Sequence, residues 1–138
     1  MKIFLDTNIF LDVLLKRENY SYSLEILNSC LNGVFEGIVV DITLLNIDYI
    51  AKKQSNNIKE FLEIINENFI VVGANNKTFK EAFKIDNLDL EDNIQYICAK
   101  NSKCNTIITN DKLFFKEKIE TFSAIEFCSH YLNYKTSY

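Results

Sequence analysis

Three aspartates stand at the ends of buried strands or at the start of a helix. Asp6 ends the run KIFL at 2–5, and Asp111 follows TIIT at 106–109 after a single residue. Asp92 falls in the first turn of a helix-forming segment within LDLEDNIQ, residues 88–95. If the strands are parallel, all three tips share one edge of a sheet. Carboxylates gathered without neighbouring bases repel one another. The basic residues nearby in sequence, Lys16, Arg17 and Lys112, do not obviously neutralise them. A divalent cation would, and hard oxygen ligands suit Mg²⁺ or Mn²⁺. Such an ion lowers the pKa of a water and stabilises charge developing on a phosphate, the chemistry that nucleases use. Each acid also has a purely structural reading. Asp92 and Glu91 in a first turn favour the helix dipole, with Asp89 a good N-cap. Asp111 could start a short helix after a turn. For Asp6 the structural reading is weaker, because Thr7 or Asn8 could cap the next helix without it.

The elements that must position these acids follow from periodicity. Residues 2–5, 37–40, 69–72 and 106–109 read as buried strands, with a weaker one near 119–122. Helical spacing runs from Ile9 to Leu15. It runs again from Tyr20 to Leu31, with Tyr20, Leu24, Leu27 and Leu31 on one face and Gly33 as the stop. Further helices are expected from Ile42 to Lys52 (with Asp41 as a cap), over 58–66, over 76–84 and from Glu91 to Asn101. A short helix should follow Asn110, and Ser123 should cap a last one with Phe127 and Leu132 inward. Gly73, Asn75 and Asn76 mark a turn, and no low-complexity segment precedes the last few residues. Strands alternating with helices imply one α/β domain over 1–138. It would be a three-layer α/β/α arrangement on a central, mostly parallel sheet of about five strands. In such sheets ligands bind outside the carboxyl ends of the strands.

Composition bounds the rest. With 138 residues, 48% of them hydrophobic and 25% charged, the chain has the make-up of an ordinary soluble domain. A net charge of −4 argues against broad electrostatic attachment to nucleic acid, though not against an acidic metal site. No apolar run is long enough to span a bilayer, and Asp6 interrupts any signal-peptide layout, so a cytoplasmic protein without membrane attachment is expected. Cys30, Cys98, Cys104 and Cys128 lack metal-ligand spacing, and His130 has no cysteine near it, which disfavours zinc. The three scattered glycines make no phosphate loop.

The motifs carrying these acids resemble those of the PIN domain, the nuclease fold of VapC-type toxins. FLDTNIFLDVLLKR at 4–17 is similar to the family's first motif, and LDLEDNIQYICAK at 88–100 to its central acidic motif. TIITNDKLFF at 106–115 resembles the third, and IETFSAIEFC at 119–128 the closing strand and helix. The resemblance spans nearly the whole chain in order. It implies that Asp6, Asp92 and Asp111 ligate Mg²⁺ or Mn²⁺, and that Asn8 and Thr109 support carboxylates or water. One position departs from the pattern. Within VVDITLLNIDYIAKK (39–53), Asn46 stands where PIN nucleases usually carry glutamate. Asn offers a neutral oxygen instead of a charge. Asp48, about 200° further round a helix, cannot replace it. The function implied is a metal-dependent endoribonuclease, the toxin of a type II toxin–antitoxin system, with an RNA substrate, a small antitoxin and a homodimer. The alternative is a PIN-fold module binding RNA or protein with reduced or lost nuclease activity. Phe10, Leu14, Tyr20 and Tyr22 are candidates for partner surfaces or for core.

Overall fold

A computed structural model describes residues 1–132; the last few residues set apart in the sequence, 133–138, lie outside that range. Two kinds of segment alternate. Short segments form the strands β1 (Lys2–Leu5), β2 (Glu36–Val40), β3 (Ile70–Val72), β4 (Thr106–Ile108) and β5 (Glu120–Phe122), of which β2, β3 and β4 are rich in β-branched residues. Amphipathic segments between them form α1 (Thr7–Leu14), α2 (Tyr20–Leu31), α3 (Asp41–Ala51), α4 (Ile58–Asn68), α5 (Asn76–Phe83), α6 (Leu90–Asn101) and α7 (Ala124–Tyr131). The five strands are ordered β3-β2-β1-β4-β5, every neighbouring pair parallel.

Side chains alternate across the strands and so build two cores. Ile3, Leu5, Val39 and Ile108 face one layer, packing with Ile9, Phe10, Ile26, Ile47, Ile65 and Phe127 from α1, α2, α3, α4 and α7. Phe4, Ile38, Val40 and Ile107 face the other, against Ala82 of α5 and Ile94, Ile97 and Cys98 of α6. Gly37 is required in β2, because a Cβ there would collide with the Phe69 ring and come within 3.1 Å of Cys30 Sγ. The Phe69 ring so admitted meets Phe10 edge-on, centroids 5.4 Å apart, a favoured aromatic geometry.

Several local expectations are corrected. The short helix expected after Asn110 is a turn: Asp111 Oδ1 accepts from Leu113 N at 2.9 Å, and Asp111 O from Phe114 N at 3.1 Å. Phe114 is then drawn into the α6-side core and Phe115 sets its ring edge-on to Tyr96. That packing, not helical periodicity, explains the apolar pair. The buried face of α2 is Ser23, Ile26, Leu27 and Cys30, while Leu31 at its end is 40% exposed. Asp6 itself is the N-cap of α1, accepting from Thr7 N at 2.7 Å, in place of Thr7 or Asn8. Of the candidates for core or partner surface, Phe10 is wholly buried in the core, and Leu14 and Tyr22 pack against it while partly exposed. Gly33 follows α2 at φ 77°, the left-handed stop expected of it. Ser123 caps α7 with Glu126 completing a capping box. All four cysteines are buried free thiols. Among the described residues no helix is long and apolar enough to cross a membrane.

Candidate metal centre

The chain leaves β1 to build β2 and β3 on one side, then returns to build β4 and β5 on the other. This reversal opens a crevice between the carboxyl ends of β1 and β4, the place where open parallel sheets bind ligands. Asp6 caps α1 at the end of β1, and its backbone N–H bonds Ile108 O of β4 at 3.0 Å. Thr109 and Asp111 follow β4, and α6 brings Asp92 to the same opening. The cleft is lined by Asp6, Asn8, Asn46, Tyr49, Glu91, Asp92 and Asp111, among others. All three aspartates singled out by spacing therefore meet, as do Asn8 and Asn46 from the supporting set.

Asp6 is the most constrained. Its Oδ1 accepts from Thr7 N (2.7 Å) and Gln95 Nε2 (3.0 Å), and its Oδ2 from Thr109 Oγ1 (2.6 Å) and Asn8 Nδ2 (3.1 Å). Four donors hold one buried carboxylate in a single orientation, a set that favours its charged form. Burial nonetheless pushes its pKa above the ordinary value, outweighing the Thr109, Gln95 and Thr7 bonds, and the Asp111 charge adds to the rise. Thr109 Oγ1 also accepts from Asp111 N at 3.1 Å, so one hydroxyl fixes both acids. Asn8 Oδ1 accepts from Asn110 N at 3.2 Å, tying the two strand tips together.

Asp92 does not cap its own helix. Asp89 does, accepting from Asp92 N at 3.1 Å, which leaves the Asp92 carboxylate free to point into the cleft. It is only 6% exposed, and its Oδ2 is buried with no hydrogen-bond partner. Burial, then the Asp6, Asp89 and Asp111 charges, push the Asp92 carboxyl up to about 8. Oxygens of Asp89, Asp92 and Asp111 lie within 4.8 Å of one another. Among the described residues the one ion pair joins Asp48 to Lys52 on the surface, so no lysine or arginine offsets this cluster. An unpaired, buried carboxylate oxygen among like charges is costly, and a hard divalent cation could offset that cost.

Sequence reasoning missed Asp89, Glu91 and Gln95 as parts of this site. Gln95 lies three residues after Asp92, on the same helical face, and that spacing was the available signal. Glu91 accepts from Asn46 Nδ2 at 2.8 Å. Burial and the Asp6 and Asp89 charges raise its pKa, against the Asn46 bond. Asp12 on α1 is buried and accepts from Ser23 Oγ (3.0 Å) and Asn110 Nδ2 (2.8 Å). Lys112 lines a groove running from Asp111 toward the start of α7, with Lys116 beside it, whereas Lys16 and Arg17 are exposed beyond α1. His130 is exposed and stacks on Phe122.

Fold and cleft thus define an α/β protein with an all-oxygen acidic site at the switch point of a parallel sheet. The PIN domain pattern matches residues 2–113, and the chain belongs to that family. It is similar to ribonuclease VapC1 of Aquifex aeolicus (strain VF5), 29% identical over 145 residues, covering 94% of this chain and 95% of that one. Among solved structures it resembles a toxin–antitoxin complex from Klebsiella pneumoniae (TM-score 0.69, 16% identity), covering 88% of this chain and 97% of that one. It also resembles VapBC2 from Rickettsia felis bound to a DNA fragment from its promoter (TM-score 0.64, 18% identity), with the same coverage. At such identities these structures speak to the fold, and all share it.

Proposed function

We propose that the protein is a Mg²⁺- or Mn²⁺-dependent endoribonuclease, the toxin of a type II toxin–antitoxin pair acting in the cytoplasm. Asp6, Asp92 and Asp111 would hold the metal. The observation that carries this reading is the buried, unpartnered Asp92 Oδ2, in a cleft that Asp6, Glu91 and Asp111 also line. When bound, the ion supplies an activated water and offsets the charge that develops on an RNA phosphodiester. The chain's own residues do the rest. Thr109, Asn8 and Gln95 fix the Asp6 carboxylate, Thr109 sets the Asp111 backbone, and Asp89 releases Asp92 from capping. Lys112 and Lys116 beside Asp111 are placed to meet RNA phosphates.

Similarity to ribonuclease VapC1 and to toxin–antitoxin complexes supports the activity and the partner. An antitoxin segment would enter the cleft, where Tyr49 and Ile50 form an apolar rim; Tyr49 is 78% exposed. A homodimer is the assembly we expect. Asn46 is the feature that suggested a binding module without turnover. Its contact with Glu91 keeps a carboxylate at that wall, which favours the nuclease.

RNA cleavage should be measured for the wild type, Asp6→Asn and Asp92→Asn, each with Mn²⁺ and with EDTA. Wild-type cleavage should need the metal and fall by about a hundredfold or more in either variant. Equal cleavage in all three proteins, or cleavage unaffected by EDTA, would refute the assignment.

A further inference from the structure

The carboxylate of Glu91 sits where its own helix would not send it. A glutamate in the first turn of a helix is ordinarily solvated, its charge offsetting the dipole. Glu91 is instead half-buried and lines the cleft, facing the charges of Asp6 and Asp89. No cation among the described residues pairs with it. One group holds it, Asn46 Nδ2 from α3, at 2.8 Å from Oε1. A carboxylate at 46 would repel Glu91; an amide is a residue of similar reach that can donate to it. The next residue, Asp92, presents its unpartnered buried oxygen to the same cleft.

We propose that Glu91 is an additional metal-ligating carboxylate of this centre, and that Asn46 is the positioning residue that holds it there. The inference rests on the metal-site reading above and deepens it. Asn46 Nδ2 engages only Oε1, which leaves Oε2 for the ion. The neutral residue at 46 is then no loss of an acid. The charge stands on α6, and α3 supplies the donor that aims it.

The test is Mn²⁺ binding to the full chain, read by the loss of the free-ion signal in electron paramagnetic resonance, with thermal unfolding in EDTA alongside. Glu91→Gln keeps an oxygen to accept from Asn46 but removes the charge. Its affinity for Mn²⁺ should fall about tenfold or more, with unfolding in EDTA unchanged or shifted upward as repulsion is relieved. Asn46→Ala should weaken binding about tenfold. The double variant Asn46→Glu with Glu91→Gln, which moves the charge from α6 to α3, should regain most of the affinity. If Glu91→Gln binds Mn²⁺ like the wild type while Asp92→Asn loses it, Glu91 is only a strap between α3 and α6 and the inference falls alone. If the wild type itself binds no Mn²⁺, the metal-site reading falls and this inference with it.

Discussion

Replacing Thr109 by valine removes one hydroxyl and keeps the side chain's shape. That hydroxyl donates to Asp6 Oδ2 at 2.6 Å and accepts from Asp111 N at 3.1 Å, at a residue only 3% exposed. A hydrogen bond to a charged group is worth about 1.5–3 kcal/mol, and an orphaned N–H about a further 1 kcal/mol. The methyl that replaces the hydroxyl returns roughly 0.8 kcal/mol of burial at most. The net loss should be about 2–3 kcal/mol, a fall of roughly 10 °C in Tm for a chain of this length. The loss should also depend on pH. The Thr109 bond opposes the burial that raises the Asp6 pKa, so the variant's folded carboxyl should titrate higher still. The difference between the two proteins should therefore grow as pH rises through those pKa values. It should shrink in acid, where Asp6 is protonated in both. Urea unfolding in EDTA at pH 8 and at pH 4 measures both effects, with Thr109→Ser as the control that restores the hydroxyl. A loss below about 0.5 kcal/mol at pH 8, or one equal at the two pH values, would refute the claim that Thr109 acts through the Asp6 charge.

Two further perturbations separate the parts of the site. In metal-free protein the Asp92 carboxyl, pushed up to about 8 when folded, binds more protons folded than unfolded. Stability should therefore be greatest below the unfolded value near 4 and fall as pH rises toward 8. The steepest slope should be about 1.4 kcal/mol per pH unit. Denaturation in EDTA should show this slope in the wild type and a shallower one in Asp92→Asn, and added Mn²⁺ should stabilise most at the alkaline end; a flat wild-type profile would count against the carboxylate cluster. Asn110→Ala breaks the bonds to Asp12 Oδ2 (2.8 Å) and from Ala124 N (3.0 Å), which tie the β4 tip to α1 and α7. It should cost about 3 kcal/mol by urea denaturation. It should also speed amide exchange across 109–114, and unchanged exchange there would mean that Asn110 does not hold the Asp111 loop.

What the sequence made legible was whatever a short window carries. Most strands are compact apolar runs, so their ends are visible, and an acid one or two residues beyond is visible too. Asp6 and Asp111 were found that way, and Asp92 from its place in the first turn of a helix; their convergence needed only the parallel topology. The contacts that decide how those acids behave join residues far apart in the chain. Gln95 reaches Asp6 across 89 positions, Asn46 reaches Glu91 across 45, and Asn110 reaches Asp12 across 98. Nothing local distinguishes a buried glutamine on α6 from a solvated one. The turn at Asp111 was missed for a related reason. Leu113, Phe114 and Phe115 look helical as a string, but Phe114 is claimed by the core and Leu113 is 83% exposed.

The structural and functional readings of the acids, set against each other along the sequence, prove to be linked in space. Asp6 caps α1 through Oδ1 and walls the cleft with the same group. Asp111 closes its turn through Oδ1 while its oxygens approach those of Asp89 and Asp92. At α6 the two tasks are divided between neighbours: Asp89 takes the N–H of residue 92, and Asp92 is left with an oxygen that nothing satisfies. Capping residues have fixed positions relative to a helix end, and the helices here start at the carboxyl edge of a parallel sheet. A cap at that edge is therefore already at the place where such sheets bind ligands. The cost is the burial, and after it the mutual repulsion, that raise the pKa values of Asp6, Glu91 and Asp92. A cation would remove that cost, and the strand and helix ends at one edge of the sheet suffice to bring the carboxylates that would bind it together.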